Sequence, residues 1–444
     1  MNHKKYLFVC MRIFVALLLI SGLSTLFLAS ACNSTASLSS GSSGTGYATV
    51  KYDSQGKEIL TTLYDTGDTS IRPGAITIDK QGNTYIVGPT TVKYDNEGRQ
   101  IWAATNDILA STIAVDAQGN VFITGDKGTI KYNKNGAKQW EENDFGGDVR
   151  SLALDNSGNL YITGLGDSQT PVVIKYDTNG KIIWNWAERY TGTQNNILAM
   201  TLDKSDNVYV TGSSESSTIK GDFGYQTIKL DAGGNEAWEA NYEGPWRDNT
   251  AHGITVDGQG NTYVTGDSRS SATGDDFATV KYDSSGHQVW VARYNGPANG
   301  EDLALGIGLD AKGNIYVCGP SSRDSISGKR DYATVKYDTD GNQLWATRYS
   351  GPETTDDSYP TAFAVDTAGN SYVTGLNLVS HNGVLIGLEY YATVKYDTNG
   401  NQVWAARYKD PQNPFNEPHG IALDAHGNVF VTGITGPSPE LQIP

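Results

Sequence analysis

Residues 303–319 read LALGIGLDAKGNIYVCG, and after a variable loop residues 332–349 read YATVKYDTDGNQLWATRY. Leu305, Gly306, Ile307, Gly308 and Leu309 alternate large and small, which is the period of a strand. DAKGN (310–314) is a tight turn: the Asp side chain bonds nearby backbone and the Gly supplies positive φ. IYVC (315–318) is β-branched and aromatic, as strands prefer. TVKY (334–337), a second turn DTDG (338–341) and QLWATRY (343–349) complete four short strands. A four-stranded antiparallel unit of roughly 45 residues cannot bury both of its faces alone, so it must stack on copies of itself.

The copies are counted by their turns. The first turn begins at Asp79, Asp116, Asp155, Asp203, Asp257, Asp310, Asp366 and Asp424, and the third strand carries Lys51, Lys93, Lys131, Lys175, Lys229, Lys281, Lys336 and Lys395. Each series has eight members. The chain enters on strands three and four (47–64) and leaves on strands one and two (420–433), so the two half-units complete one another. An open stack would leave two unpaired edges, which proteins avoid. The expectation is an all-β fold, a closed eight-bladed β-propeller of four-stranded antiparallel blades over 47–436 with its last blade sewn from both termini. A ring of seven blades is the alternative.

Two repeated positions carry the packing. Before each first turn stands a large residue (Ile78, Val115, Leu154, Leu202, Val256, Leu309, Val365, Leu423), itself preceded by a small one (Thr77, Ala114, Ala153, Thr201, Thr255, Gly308, Ala364, Ala422). The bulk of one blade is thus expected to fill the hollow of its neighbour near the axis. Trp102, Trp140, Trp184, Trp238, Trp290, Trp345 and Trp404 each lie four residues after a turn Gly, with Leu60 in the eighth place. Seven tryptophans at one blade position read as inter-blade packing, with a sugar-stacking surface as the other reading. The third-strand lysines read as the solvated side of an outer strand. The DxxG turns read as hairpin chemistry, since they lack the alternating Asp/Asn ligands of a calcium loop.

The N-terminus reads as an export signal. Lys4, Lys5 and Arg12 precede an apolar run (13–28), then Ala29-Ser30-Ala31 and Cys32. Met11 offers an alternative start. Residues 28–32, LASAC, resemble a bacterial lipobox, although Leu28 stands one place further from Cys32 than is usual. The resemblance implies a signal peptide over 1–31, lipidation of Cys32 and attachment to a lipid bilayer; ordinary secretion or an uncleaved anchor are the alternatives. Residues 32–46 are a Ser/Gly-rich tether and 437–444 a C-terminal tail. The expected location is extracytoplasmic, in a bacterial cell envelope.

Net charge is −16, and removal of the basic leader makes the mature chain more acidic still. Such a body repels phosphate backbones, so nucleic acid is not an expected partner. Only Cys318 remains once Cys10 and Cys32 are set aside, so no disulfide is expected.

In a four-stranded blade both DxxG turns fall at one end of the ring. At the other end the loop between strands two and three is almost absent after Gly88 and short after Gly125, but long after Gly212, Gly266, Gly319 and Gly375. Binding residues concentrate on variable loops held by a rigid scaffold. The candidate ligand-binding acids on this end are Asp248, Glu301, Asp302, Asp356, Asp357 and Glu417, placed to ring the channel mouth or simply to bond loop backbone. His252 and His419 each stand five residues before a turn Asp; the equivalents are Gly74, Ser111, Arg150, Leu198, Leu305 and Thr361. A metal shared by these two histidines would have to span the channel. No catalytic set and no cofactor is expected, calcium being the one ion the acids suit.

The pattern DxxGNxYVTG … ATVKYDxxGxxxW … RYxGP resembles the bacterial SBBP β-propeller repeat, and more loosely NHL repeats, over nearly all of residues 47–433. YDxxGxxxW is also similar to the tryptophan-docking motif of quinoprotein propellers. That family includes quinone-dependent dehydrogenases and a lipoprotein scaffold of the outer-membrane barrel assembly machinery. The dehydrogenases commonly carry a vicinal cysteine pair, which this chain lacks. The anchor, the tether, the ring and the lack of a catalytic set point to a monomeric, membrane-tethered binding or scaffold module for an envelope or extracellular protein or glycan. The alternative is an enzyme working at the channel mouth, either a metal-assisted hydrolase or lyase or a degenerate quinoprotein.

Overall fold

The computed structural model describes residues 45–66, 73–143, 147–166, 170–186, 195–215, 222–324, 328–351, 357–381 and 384–436. The signal peptide, Cys32, nearly all of the tether and the C-terminal tail lie outside the described residues, as does Asp356. The strands form eight four-stranded antiparallel sheets. Blades 1 to 7 follow the chain as 75–105, 110–142, 148–186, 195–242, 250–294, 306–349 and 357–408. Blade 8 joins Phe415–Leu423 and Val429–Gly436 to Gly46–Tyr52 and Glu58–Asp65. Within it Gly46 pairs with Thr435 and Tyr52 with Val429, and the Thr49 and Thr432 hydroxyls meet at 2.9 Å. The ring is closed, and it has eight blades.

The core is a series of inter-blade layers. Second and third strands alternate residues such as Val264, Val280, Val317 and Val335 that are wholly buried between sheets. Near the axis the small-before-large rule holds. A Cβ on Gly308 would stand 3.0 Å from Val365 Cγ2 of the next blade, and outside that series, four residues before its turn Asp, one on Gly420 would stand 2.9 Å from Ile76 Cγ2. A larger residue at either place would force the inner strands apart.

At the periphery each tryptophan locks onto the following blade. Trp102 Nε1 donates to the Lys134 carbonyl at 3.1 Å, Trp290 to Thr339 at 3.1 Å and Trp345 to Thr398 at 3.0 Å. The indole lies flat on the turn Gly of that next blade: a Cβ on Gly136 would sit 2.7 Å from Trp102 Cδ2. These glycines have φ near +80°, so they are required twice over, for the turn and for the approach of the ring. The tryptophans are therefore packing residues. Between blades 8 and 1, Leu60 takes the same seat over Gly98.

The third-strand lysines are a correction to the sequence reading. They are not on a solvated side: Lys93, Lys131, Lys175 and Lys336 are buried. In all eight blades the ammonium sits 4.7–5.3 Å above the ring of the second-strand aromatic, from Phe430 under Lys51 to Tyr372 under Lys395. Lys131 Nζ donates to Thr178 O at 2.7 Å and Lys336 Nζ to Thr398 O at 3.1 Å, sharing the carbonyl that receives the tryptophan. Burial pushes the Lys93 and Lys131 amines below the usual lysine range. Alternation within one strand cannot reveal this cover, because it comes from the next blade's turn.

Candidate functional site

The two ends of the ring differ in what their polar groups are free to do. On the turn end each leading Asp is saturated by its own turn. Asp79 Oδ1 accepts the Gln81 and Asn83 amides at 2.9 Å, while Oδ2 accepts Asn83 Nδ2 at 2.7 Å and the Tyr85 hydroxyl at 2.9 Å. The pattern recurs at Asp203, Asp257 and Asp310. Blade 4 has Asp206 where other turns have Gly, held at φ 62°.

The loop-rich end is built unevenly. Blade 1 crosses from strand two to strand three through Gly88 and Pro89, whereas in blade 5 Thr262–Ser270 and Gly274–Tyr282 form a long hairpin. That hairpin is clamped by Arg293 of the fourth strand. Its guanidinium donates to Asp276 Oδ2 at 2.9 Å, and to Ser268 Oγ and Ser268 O at 2.6 Å. Blade 6 repeats the clamp: Arg348 bonds Asp331 Oδ2 at 3.0 Å and Ser321 Oγ at 2.6 Å, while Arg323 Nε bonds Asp331 Oδ1 at 2.6 Å. Blade 7 has Tyr390 in place of the Asp, and Arg407 lies 5.6 Å from its ring centre. The recurring D-[FY]-ATVKY and RY strings held this signal, which the sequence reading missed.

The candidate acids divide by role. Asp302 is fully buried, accepting the Gly296 amide on Oδ2 at 2.5 Å and the Ser322 amide on Oδ1 at 3.2 Å. Asp357 Oδ1 accepts the Arg330 amide at 2.7 Å, and burial raises its carboxyl above the usual range. Glu417 is buried beside His419, with Oε1 3.7 Å from Nε2. Asp248 and Glu301 reach solvent; their closest cations are Arg269 at 3.9 Å and Arg330 at 3.5 Å. Asp302 belongs to a series the sequence reading did not isolate. Eight residues before the first turns of blades 5 to 8, Asn249, Asp302, Ser358 and Asn416 are all wholly buried. Asn249, Asp302 and Asn416 tie their blade-to-blade loops together.

His252 and His419 prove to be equivalent for a backbone reason. Each is the extra residue of a β-bulge in its blade's innermost strand, as are Ser111, Arg150, Leu198 and Thr361. A bulge re-aims the side chain it carries. Opposite it stands the Gly of each TG pair: a Cβ on Gly266 or Gly433 would collide with the carbonyl of Thr250 or Glu417. Of these bulge residues Ser111, Arg150, Leu198, His252 and Thr361 are partly accessible, whereas His419 is buried. His252 Nε2 contacts Asp267 Oδ1, so each histidine is paired within its own blade and the two are not brought together. No three His, Cys, Asp or Glu among the described residues group in a metal-holding arrangement. Cys318 is buried, and burial pushes its thiol up to about 12, leaving it unreactive at neutral pH.

Among the described residues, the carboxyl shifted furthest is one the sequence reading does not single out. Asp275, in the blade 5 hairpin, is pushed up to about 6 by burial and by the field of Asp267, with smaller contributions from Glu301 and Asp248 that Arg269 partly offsets. Also missed was Trp246, on the connection from blade 4 to blade 5. It is 54% exposed, and no other Trp, Tyr or Phe among the described residues is exposed.

Residues 242–271 and 344–376 match the family model described as beta-propeller repeat, SBBP. Residues 90–221 match the model described as outer membrane protein assembly factor BamB. No curated protein matches the sequence. The fold is similar to the Dos1 propeller, at 8% identity over 82% of this chain and 92% of that one, with a TM-score of 0.53. Weaker likenesses include BamB from Moraxella catarrhalis (14% identity, 80% of this chain and 95% of that one, TM-score 0.46). Another is the Pan2 WD40 domain of Neurospora crassa (11% identity, 82% and 89%, TM-score 0.45). The chain is a closed eight-bladed β-propeller carrying SBBP-type repeats.

Proposed function

We propose that this propeller is a lipid-anchored scaffold of a bacterial cell envelope that holds a partner protein on its loop-rich end. The observation that carries the reading is the asymmetry between the ends. The turn end repeats one self-saturated hairpin, whereas the other end presents hairpins of different length, those of blades 5 and 6 fixed by arginine clamps. A rigid ring with individually shaped loops suits recognition of a macromolecule. The match of residues 90–221 to the assembly-factor model favours a protein partner over a glycan. The anchor rests on the export signal and on the lipobox-like LASAC at residues 28–32.

The test has two parts. Palmitate labelling in cells should mark the wild type and not Cys32→Ser. Crosslinking in the same cells should capture one envelope protein with the wild type. A variant whose blade 5 hairpin 267–276 is replaced by the two-residue turn of blade 2 should lose that capture. Retained capture by the hairpin variant would remove the loop-rich end as the working surface.

A further inference from the structure

We propose that Trp246 and the carboxylates beside it are a seat for an arginine or lysine side chain of the partner polypeptide. The inference rests on the loop-rich end being the binding surface, and it adds the chemistry of what is bound.

Trp246 is exposed and yet held rigidly. Asn249, wholly buried, donates through Nδ2 to the carbonyls of Trp246 and Glu243 at 2.7 Å and of Phe223 at 3.0 Å. Its Oδ1 accepts from Ser268 Oγ at 2.7 Å and from the Arg269 amide at 3.2 Å. The loop is thus fixed to both neighbouring strands, and ordering it on binding costs little. The corresponding loop between blades 5 and 6 has Ala298 after its Gly-Pro, so the aromatic crest is particular to this site. A large rigid aromatic in the open is the residue type that anchors interfaces.

The surrounding charge says what the anchor meets. The blade 5 hairpin runs beside this loop, and the Asp302 amide donates to the Asp275 carbonyl at 2.6 Å, bringing residue 301 alongside. Asp248 and Glu301 expose more than half of their side chains. Asp267 and Asp275 stand behind them; burial is the main cause that raises the Asp275 carboxyl, and the charges of Asp267, Glu301 and Asp248 add to it. Against these four acids stand Arg247, Arg269 at 3.9 Å from Asp248, Arg330 at 3.5 Å from Glu301, and the His252 paired with Asp267, so the carboxylates outnumber the guanidinium groups by one. The chain as a whole carries −16. A cation is attracted both to the face of an indole and to such a field. A sugar ring stacks on the indole but gains nothing from the field.

The experiment uses the full chain in detergent, with three probes followed by fluorescence anisotropy. They are a labelled (Arg-Gly)4 peptide, the same peptide with citrulline for arginine, and labelled chitohexaose. The arginine peptide should bind, and tenfold more weakly in 300 mM than in 50 mM NaCl. Trp246→Ala and the double variant Asp248→Asn/Glu301→Gln should each weaken it at least tenfold. Leu109→Ala, on the connection between blades 1 and 2, should leave it unchanged. Equal binding of the citrulline peptide, undiminished binding by a folded Trp246→Ala protein, absent arginine-peptide binding, or chitohexaose binding lost on Trp246→Ala would each overturn the seat. If envelope capture fails with the blade 5 hairpin replacement but survives Trp246→Ala, the scaffold reading stands and the cation seat alone falls.

Discussion

Trp404 Nε1 of blade 7 donates to the main-chain carbonyl of Ser54 in blade 8 at 3.1 Å, across 350 positions of sequence. The indole also lies on Gly56, where an added Cβ would stand 2.5 Å from Cδ2. One interlock therefore ties the last complete blade to the N-terminal strands. Trp404→Ala should cost about 3 kcal/mol, at the low end for loss of a large aromatic because the ring is only partly buried. Trp404→Leu should cost roughly half as much, since Leu60 fills the same seat over Gly98. Urea unfolding of the two variants gives the comparison.

The lysine layer predicts a different profile. Lys336 Nζ lies 4.7 Å over Tyr316, bonds Thr398 O at 3.1 Å and stands 3.6 Å from Asp310 Oδ2. Lys336→Met keeps the stem and loses the charge. It should destabilise by about 1–2 kcal/mol, the scale of one charge-assisted bond together with the ring contact. A solvated lysine would give no measurable change in the same unfolding experiment.

What the chain discloses unaided follows from whether a role is local. Turns such as Asp310 to Gly313 and the entry on Lys51's strand disclose ring closure and blade number, because hairpin chemistry depends on neighbours in sequence. The lysines were misplaced because their cover arrives from another blade. His252 and His419 were correctly grouped by spacing, but the bulge that aims them is a matter of register. Only the glycines opposite, Gly266 and Gly433, hinted at it. For Asp302 the sequence leaves open a ligand or a bond to loop backbone; that it ties the loop depends on where Gly296 folds back. Trp246 lies outside the repeated tryptophan position, and its exposure depends on how the connection from blade 4 to blade 5 folds, which no local pattern encodes.

Asp331 supplies a clamp prediction. Its carboxylate, 4% exposed, binds Arg323 on one oxygen and Arg348 on the other. Asp331→Ala removes the one carboxylate that two guanidinium groups share, leaving them neutral acceptors such as Ser321 Oγ and Ser350 O, and should cost about 3–5 kcal/mol. Arg323→Ala leaves the Arg348 half intact and should cost less than half of that. Thermal unfolding ranks the two.

Asp275 gives a pH dependence whose sign follows from its raised carboxyl. The folded chain holds this proton up to about pH 6, while the unfolded chain releases it near the ordinary value of 3.8. Its contribution favours the fold below that value and is lost as pH rises through 6. Asp275→Asn should therefore be more stable than wild type at pH 7, with the gap closing by pH 4. Urea midpoints at the two pH values measure this, and a gap of the same size at both would show that the carboxyl titrates normally.

Closure itself is testable by moving the ends. Gly46 pairs with Thr435 in one sheet, so residues 436 and 46 can be joined by a short Gly/Ser linker. New termini opened between residues 324 and 328 of blade 6 then leave every sheet intact. This permutant should fold with native-like unfolding cooperativity. A chain that instead begins at residue 73 strips Gly46–Tyr52 and Glu58–Asp65 from blade 8, leaving Val429–Gly436 as a bare edge and Trp404 without its seat. It should aggregate or unfold at far lower temperature. A truncated chain as stable as the permutant would mean that the ring does not depend on its sewn blade.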